Sequence, residues 1–460
     1  MKGGDEMRHM DDAGYDTLRF GWLQNKTQEE IRMKRTLIQQ ATPGKPTLVQ
    51  GFIGHKRDTR NMVFFTLRDR SGSLQATIEK QAHSELAETI DRLTVGSVVS
   101  IIGIIAENPY VKQGGRELLP ESITIESLAA PLPLTQNANL DTRLDYRWID
   151  LREEKARLPF AVQTTLTRTM RDFLLERDFL EIHTPKLIAA ASESGADVFE
   201  VNYFNRKAYL AQSPQFYKQM AMAAGFERIF ETGPVFRAEK SYTNRHTTEF
   251  TGFDLEMSYI SSFEEVMKIE ADMLAYALDV IQKDYGEAIE RLYETRIVVP
   301  KVPFPSIRLK DLYVELERRY GYRLPESEQG DTTTEAEKLA FRFSKEEFGH
   351  EFLFVTDFAE EKRAFYHMRR EGISLGYDLL WRGVEITTGA QREHRYDVLC
   401  KQAEERGLKE DVRFYTEFFR YGCPPHGGFG LGIDRLTMLL LGINIKEAMF
   451  LFRSPNRLTP

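Results

Sequence analysis

The sequence predicts an α+β multidomain protein, with a small N-terminal β-barrel of the oligonucleotide-binding kind (OB-fold) followed by an antiparallel sheet flanked by helices. Three observations carry this. Residues 47–128 hold short β-rich runs punctuated by turn residues. Residues 229–260 give two apolar strands around a charged loop, and strands then alternate with amphipathic helices to residue 460. A chain of 460 residues, 42% hydrophobic and 29% charged, suffices for two or three domains with large cores. Its net charge of −8 argues against unspecific nucleic-acid binding over the whole surface and leaves room for a local basic patch. Cys400 and Cys423 lie in no ligand-spaced cluster, so neither a disulfide scaffold nor a structural zinc site is indicated. Apolar runs are too short to span a bilayer and the start MKGGDEMRHMDD lacks a signal-peptide pattern. A soluble, cytoplasmic protein with no membrane partner is expected.

Residues 1–45 are mixed and polar and read as an N-terminal extension with one short helix around 28–40. The barrel, residues 46–130, is built from TLVQGFIG, MVFFTLRD, LQATI, SVVSIIGIIAE and ESITIESL, with one helical stretch at 82–93. Basic Lys56, Arg57, Arg60, Arg68 and Arg70 mix with Phe52, Phe64 and Phe65, which suits stacking of unpaired bases in a cationic groove. A plain barrel with core phenylalanines would carry the same residues.

Pro131 and Pro133 open a linker or hinge, residues 131–155, that includes the charged LDYRWIDLREEKARLP. The second domain, 156–460, begins with a helix over 158–177 that has Leu166, Met170, Phe173 and Leu174 at helical spacing. The strand-like FLEIHTPKLI follows, with Pro185 at a strand end or edge. Next come the hairpin strands 229–237 and 249–260, then a helix over 263–285. Residues 286–350 are charged and helix-prone, and EFLFVTDF and GYDLLWRGVEITTG read as strands of one large sheet.

The hairpin places Arg237 at the end of its first strand and Glu239, Lys240, Arg245 and His246 in its loop. A planar guanidinium on rigid backbone suits an oxyanion such as phosphate, because it makes two parallel charge-assisted hydrogen bonds. An ordinary charged loop would look the same in isolation. Four further stretches hold the side chains an adenylate-forming site needs. AQSPQFYK, residues 211–218, clusters polar groups at a strand-to-helix junction. GYD and WRGVEITT, within residues 376–388, bring Glu385 and Thr387 to one face of an extended strand and Thr388 to the other, unless a bulge intervenes. A carboxylate with a nearby hydroxyl can hold a hard cation such as Mg²⁺ that also carries phosphate oxygens. QREHR, 391–395, adds another bidentate cation. GGFGLGIDR, 427–435, is a glycine-rich strand entering an apolar helix. It matches neither GxGxxG nor GxxxxGK[ST], so Rossmann and P-loop readings fail. Its glycines would let an adenine or ribose approach backbone, with Arg435 at the helix start. Close strand–helix packing alone calls for similar glycines.

Taken together these stretches resemble the aspartyl-tRNA synthetases of the archaeal and eukaryotic type, from about Thr47 to Pro460. The three class II signatures come in order: a helix and strand ending in Pro185, then FRAE with RHTTEF, then GFGLGIDR. QSPQFYKQ, GFDLEM, GVEITTGAQREHR, YGCPPHGGFGLG and the terminal RLTP add to the likeness. The resemblance implies an OB-fold anticodon-binding domain, a class II catalytic domain, ATP and Mg²⁺, L-aspartate, tRNA(Asp) and a homodimer. By the same resemblance Glu193 would bind the aspartate ammonium. Gln215, Phe216, Tyr217, Lys218 and Thr388 would line the amino-acid pocket, with Lys218 and Arg392 on the side-chain carboxylate. Arg237 would bridge the α-carboxylate and the ATP α-phosphate. Glu239 would read the adenine amino group, Phe250 and Arg435 would sandwich the ring, and Arg245 and His246 would contact the outer phosphates. Ala238, Thr247, Gly432, Ile433 and Asp434 complete the implied ATP site. Glu385 and Thr388 would hold Mg²⁺ with Asp378 in an outer shell, and Arg237, Glu385 and Arg435 form the catalytic set. Phe52, Phe64, Gln75 and Glu117 match anticodon-binding positions.

The chain departs from that family pattern at Thr388 for serine, Ala390 for glycine, Phe452 for proline and Phe52 for tryptophan. The last, beside Lys80 and His83, points to an enzyme that also charges tRNA(Asn). Two rival readings have identifiable signatures. An asparaginyl enzyme would have a neutral pocket, against Lys218 with Arg392, and a non-catalytic paralogue would lack some of Arg237, Glu385 and Arg435.

Overall fold

A computed structural model describes residues 33–112, 114–135, 137–190, 198–239 and 247–460. It resolves into two compact units, Met1–Thr142 and Arg143–Pro460. In the first, β1 (Pro46–Asp58), β2 (Met62–Arg68), β3 (Ser73–Glu79), β4 (Val98–Glu107) and β5 (Arg116–Ser127) close a barrel in the order β1-β2-β3-β5-β4. Strict alternation makes this possible. Val63, Phe65 and Leu67 of β2 point into a core shared with Val49, Leu74 and Ile101, while Phe64, Thr66 and Arg68 face out. Helix α1 (Ser84–Arg92) covers the core with Ile90.

The expected helix around 28–40 is, over its described part, only a 3₁₀ turn at Ile38–Gln40. Ile38 and Ala41 are buried in the barrel core, and Arg116 donates to the carbonyls of Ala41 (2.8 Å) and Ile38 (3.0 Å). The barrel unit therefore reaches back past residue 45. At the other boundary, residues 143–155 are part of the second unit rather than linker. Arg147 is fully buried there, donating to Asp150 at 2.5 Å and to the Glu447 and Met449 carbonyls at 3.0 Å. Its charge is what made the segment look solvated.

The second unit holds a sheet of eight strands among the described residues. Its elements are α2 (Glu154–Leu175), β6 (Leu180–Glu181), α3 (Gln215–Ala223), β7 (Arg228–Phe236), β8 (Glu249–Ser258), α4 (Glu264–Tyr293), β9 (Ser306–Arg308), β10 (Phe352–Thr356), β11 (Gly376–Trp381), β12 (Val384–Arg392), β13 (His426–Gly432) and α5 (Ile433–Leu441). The order is β9-β10-β11-β12-β13-β8-β7-β6. The six central strands are antiparallel, as expected. Both edges add a strand in parallel, β9 on β10 and β6 on β7, so the sheet is mixed.

Helices α2 and α4 pack together behind the sheet, where Leu166, Met170, Phe173, Met273 and Leu274 meet Phe253, Leu255 and Phe429. Helix α4 runs to Tyr293, eight residues beyond the expected end, and stops at Glu294 in a left-handed conformation (φ 56°). The stretch FLEIHTPKLI is not one strand. Glu231 accepts from the Thr184 amide (2.9 Å), the Thr184 hydroxyl (2.7 Å) and Lys186 Nζ (2.7 Å), which pulls the chain off the ladder around Pro185. Residues 286–350 supply two further helices, Leu309–Tyr320 and Thr334–Phe348, with a small core against β10. Among the described residues no helix is long and apolar enough to cross a membrane.

Candidate functional site

The hairpin β7–β8, strand β12 and the glycine-rich β13 frame a cavity of about 310 Å³. Strand β13 is its floor, and side chains are excluded there by contact. A Cβ on Gly428 would collide with the Leu255 carbonyl, and one on Gly430 would stand 3.1 Å from Asp254 Oδ1. Walls come from β8, β12, the start of α3 and a loop carrying Arg363, Tyr366 and His367.

Strand β12 carries the decisive local feature. Leu379 pairs with Thr387 but Leu380 with Glu385, so Ile386 is an extra residue and the strand bulges. The bulge brings Glu385 and Thr388 to the same side, which strict alternation forbids. Thr388 Oγ1 lies 2.8 Å from Glu385 Oε1 and 3.0 Å from Asp378 Oδ1. Asp378 takes a bidentate pair from Arg363 (2.8 and 2.6 Å), whose guanidinium also lies 3.5 Å from the Phe358 ring centroid. Burial pushes the Asp378 carboxyl up to about 6, with Arg363 pulling the other way and Glu385 adding to the rise. Among the described residues no group of three or more His, Cys, Asp or Glu could hold a metal ion. The donors here are hard oxygens, few in number, and they fit a Mg²⁺ that keeps phosphate oxygens among its ligands.

Deeper in, two buried cations meet two buried carboxylates. Lys218 Nζ lies 3.0 Å from Asp254 Oδ1, 3.3 Å from Glu256 Oε2 and 3.0 Å from the Phe429 carbonyl. Arg392 donates through Nε to Glu256 Oε1 (3.0 Å) and through Nη2 to the Gly428 carbonyl (2.9 Å). Burial raises Glu256, but Arg392 and Lys218 together hold it below its usual range. For Asp254 burial wins over Lys218 and the carboxyl is raised. Two cations, Lys218 and Arg392, thus converge on Glu256 beside the cavity that both of them line, a setting that can receive a further carboxylate.

At the outer end Arg237 lies over the Phe250 ring (5.4 Å to the centroid) and 3.8 Å from Glu239. Phe250 rests on a cluster that contains Phe452, the residue departing from the family's proline. Thr247 donates its hydroxyl to the Arg453 carbonyl (2.9 Å). Arg435 is aimed by a hydrogen bond to the Glu385 carbonyl (2.8 Å). Asp434 ties the start of α5 to the hairpin by accepting from the Thr251 amide (2.8 Å), and burial lifts it to about 6.

Of the expected residues, Gln215, Lys218, Arg237, Glu239, Thr247, Phe250, Glu385, Thr388, Arg392, Gly432, Asp434 and Arg435 line this one cavity. Phe216, Tyr217, Ala238 and Ile433 do not. Phe216 stacks on Tyr415 at 4.3 Å, because on the helix α3 it is turned about 100° from the face that Gln215 and Lys218 share, and Ile433 is core. Glu193, Arg245 and His246 lie outside the described residues. Asp254, Glu256, Arg363 and His367 are site residues that sequence reasoning missed. For the first two a signal existed, two carboxylates two apart within an apolar strand.

In the barrel, Phe52, Phe64, Gln75 and Glu117 all fall on the outer face of adjoining strands, through the pairs Phe52↔Arg68, Arg57↔Phe64, Phe64↔Thr77 and Gln75↔Glu117. Arg57 covers the Phe64 ring at 4.7 Å. Glu117 is pinned by the Thr77 hydroxyl and by Asn108 (2.7 Å).

A family model described as tRNA synthetases class II (D, K and N) matches residues 139–454, and one described as an OB-fold nucleic acid binding domain matches 47–126. The chain is 41% identical over 426 residues to the aspartate–tRNA(Asp/Asn) ligase of Methanopyrus kandleri, covering 91% of this chain and 96% of that one. It is 40% identical to the aspartate–tRNA(Asp) ligase of Pyrococcus furiosus, covering 91% and 97%. Among solved structures, the asparaginyl-tRNA synthetase from Pyrococcus horikoshii complexed with asparaginyl-adenylate superposes with a TM-score of 0.85 at 30% identity, over 93% and 100% of the two chains. The aspartyl-tRNA synthetase from Entamoeba histolytica gives 0.84 at 32% identity, over 95% of each.

Proposed function

The chain belongs to the class II aminoacyl-tRNA synthetases, and from that premise we propose that it is an aspartate–tRNA ligase whose buried Lys218–Arg392 pair selects L-aspartate. The observation that carries this choice is that two buried cations, Lys218 and Arg392, both line the cavity and meet at Glu256. A substrate carboxylate offsets the desolvation of two cations, and the neutral amide of asparagine does not. The test is pyrophosphate exchange with each amino acid in turn. Exchange with aspartate alone is the expected result, and exchange with asparagine overturns the assignment.

In the proposed reaction the aspartate α-carboxylate attacks the α-phosphorus of ATP in line, giving aspartyl-adenylate and pyrophosphate. The terminal ribose hydroxyl of the tRNA then takes the aspartyl group and AMP leaves. No side chain of this chain becomes covalently attached, since positioning and electrostatics supply the acceleration. Arg237 sits at the mouth of the aspartate pocket, where a guanidinium can bridge α-carboxylate and α-phosphate and offset charge growing on phosphorus oxygens. Phe250 and Arg435 offer an apolar face and a cation to the adenine. Glu385 and Thr388 are the residues that would hold Mg²⁺, which when bound would neutralise phosphate charge.

A homodimer is the proposed assembly. Leu175 at the end of α2, Leu180 in β6 and Leu187 in the short strand Leu187–Ile188 are about half exposed, and a two-fold contact of this segment with its own copy would cover them. Sedimentation should give about twice the 53.3 kDa chain mass; an active monomer at micromolar concentration would refute it.

The tRNA range is proposed to include tRNA(Asn). The two anticodons share their last two bases, so choice rests on one base at the edge of the barrel. Phe52 there offers less surface than an indole and no donor, and Lys80 is engaged by Asp58 at 2.5 Å. One base-edge contact is worth about 1–3 kcal/mol, which gives modest selectivity. Aspartylation of the two transcripts side by side is the test. A thousandfold preference for tRNA(Asp) in kcat/KM would overturn the relaxed range.

A further inference from the structure

A buried imidazole touches the cation that the preceding reading assigns to substrate choice. His367 lies directly opposite Arg392 in an antiparallel bridge just outside the sheet, held by the Met368 amide on the Gln391 carbonyl (3.0 Å) and the Glu393 amide on the Tyr366 carbonyl (2.9 Å). Gln402 reinforces this segment by donating to the carbonyls of Phe365 (2.5 Å) and His367 (3.0 Å). Opposed residues of such a bridge share a face, so the two side chains meet. His367 Nε2 is 3.2 Å from Arg392 Nη1, and Nδ1 is 3.0 Å from Ser374 Oγ.

The chemistry of these partners fixes the tautomer. A guanidinium can only donate, so Nε2 must present its lone pair and the proton must sit on Nδ1, directed at Ser374. Burial first, then Arg392, Arg363 and Lys218, hold the imidazole well below its usual range, so it stays uncharged. The directed hydrogen bonds of Arg392 include those to Glu256, to the Gly428 carbonyl and to His367. Glu256 orients it but cancels one charge. His367 orients it and cancels none.

We propose that His367, as the neutral Nδ1–H imidazole, is a positioning residue that sets amino-acid specificity by fixing the Arg392 guanidinium toward the substrate carboxylate without reducing its charge. The proposal rests on the reading that Arg392 receives that carboxylate. A carboxylate at position 367 would orient Arg392 equally well and weaken selection. An apolar side chain would remove the acceptor that Arg392 Nη1 meets at position 367.

The experiment is pyrophosphate exchange on the full-length wild type, H367A, H367Q and R392Q, with thermal melts of each. H367A is expected to raise the aspartate KM about ten- to hundredfold, the range for a lost hydrogen bond to a charged group, with kcat and the ATP KM within about threefold. H367Q, whose amide oxygen can reach the place of Nε2, is expected to recover most of the loss. A purely structural role would instead lower kcat and melting temperature with no rescue by glutamine. An aspartate KM within twofold of wild type in folded H367A overturns the proposal, as does an H367Q no better than alanine. If H367A does not melt cooperatively, H367Q decides: near-wild-type aspartate KM supports the proposal and a tenfold rise overturns it. R392Q separates the two layers. If it leaves the aspartate KM unchanged the underlying reading fails; if it raises that KM while H367A does not, only the role of His367 falls.

Discussion

Replacing Glu270 by glutamine should make the catalytic unit more stable at pH 8 and much less so, by under about 1 kcal/mol, at pH 5. Glu270 projects from α4 into the back of the sheet, fully buried, where Oε2 accepts the Tyr377 hydroxyl at 2.6 Å. Its other oxygen and the Thr387 hydroxyl are both buried without a well-formed hydrogen bond. Burial raises the carboxyl from 4.5 to about 7, with the Tyr377 and Thr387 hydroxyls opposing. A raised carboxyl binds its proton more tightly in the folded state. Stability is therefore full below about pH 4.5 and is lost as pH rises through about 7. The shift corresponds to about 3 kcal/mol at pH 8. Glutamine keeps an acceptor for Tyr377, offers Thr387 a donor and does not ionise. Equilibrium urea unfolding at the two pH values, followed by tryptophan fluorescence, is the assay, and Trp381 lies buried on the same strand as Tyr377. A gain of the same size at pH 5 and pH 8, or none at either, would refute the reasoning.

Three further outcomes follow from the same geometry. Arg237→Ala should lower aspartate-dependent pyrophosphate exchange by about two to three orders of magnitude at saturating ATP, and near-normal exchange would remove Arg237 from the mechanism. Gly389→Ala should destabilise the catalytic unit by about 2–4 kcal/mol, because its Cβ would collide with the buried Tyr377 ring, itself held by Glu270 and stacked on Phe263; an unchanged melting temperature would contradict this. Phe64→Ala should weaken tRNA binding by about 1–3 kcal/mol while pyrophosphate exchange without tRNA is unaffected, and a loss of exchange would show that Phe64 serves something other than base stacking.

Much of this molecule is legible in its sequence. The hairpin, the apolar stripe of α2 and the alternation of β2 follow from residue spacing, because each buries its face against whatever lies beneath. What fails has a physical pattern. The bulge at Ile386 is one residue without a compositional mark, yet it decides whether Glu385 and Thr388 can act together. His367 and Arg363 enter the cavity from a loop whose partner strand is chosen only in three dimensions. Arg147 looks solvated because charge normally is, and it is buried because four acceptors in its own unit surround it, Asp150 and the carbonyls of Glu447, Met449 and Phe450. The parallel edge strands depend on long crossovers that local periodicity does not encode.

The bare floor of the cavity limits how this enzyme can change. Gly427, Gly428 and Gly430 lie on a strand sandwiched between β8 and β12, and any Cβ at Gly427 or Gly428 runs into neighbouring backbone. Variation at Gly427 and Gly428 is closed off, and a Cβ at Gly430 would crowd Asp254 Oδ1 at 3.1 Å, so a lineage or a designer seeking a different amino acid gains little purchase on the floor. New preferences must be written in the walls, on Asp254, Lys218, Arg392 and the loop around His367. Those four places are electrostatically linked, so single exchanges there strand a buried charge and travel better in pairs.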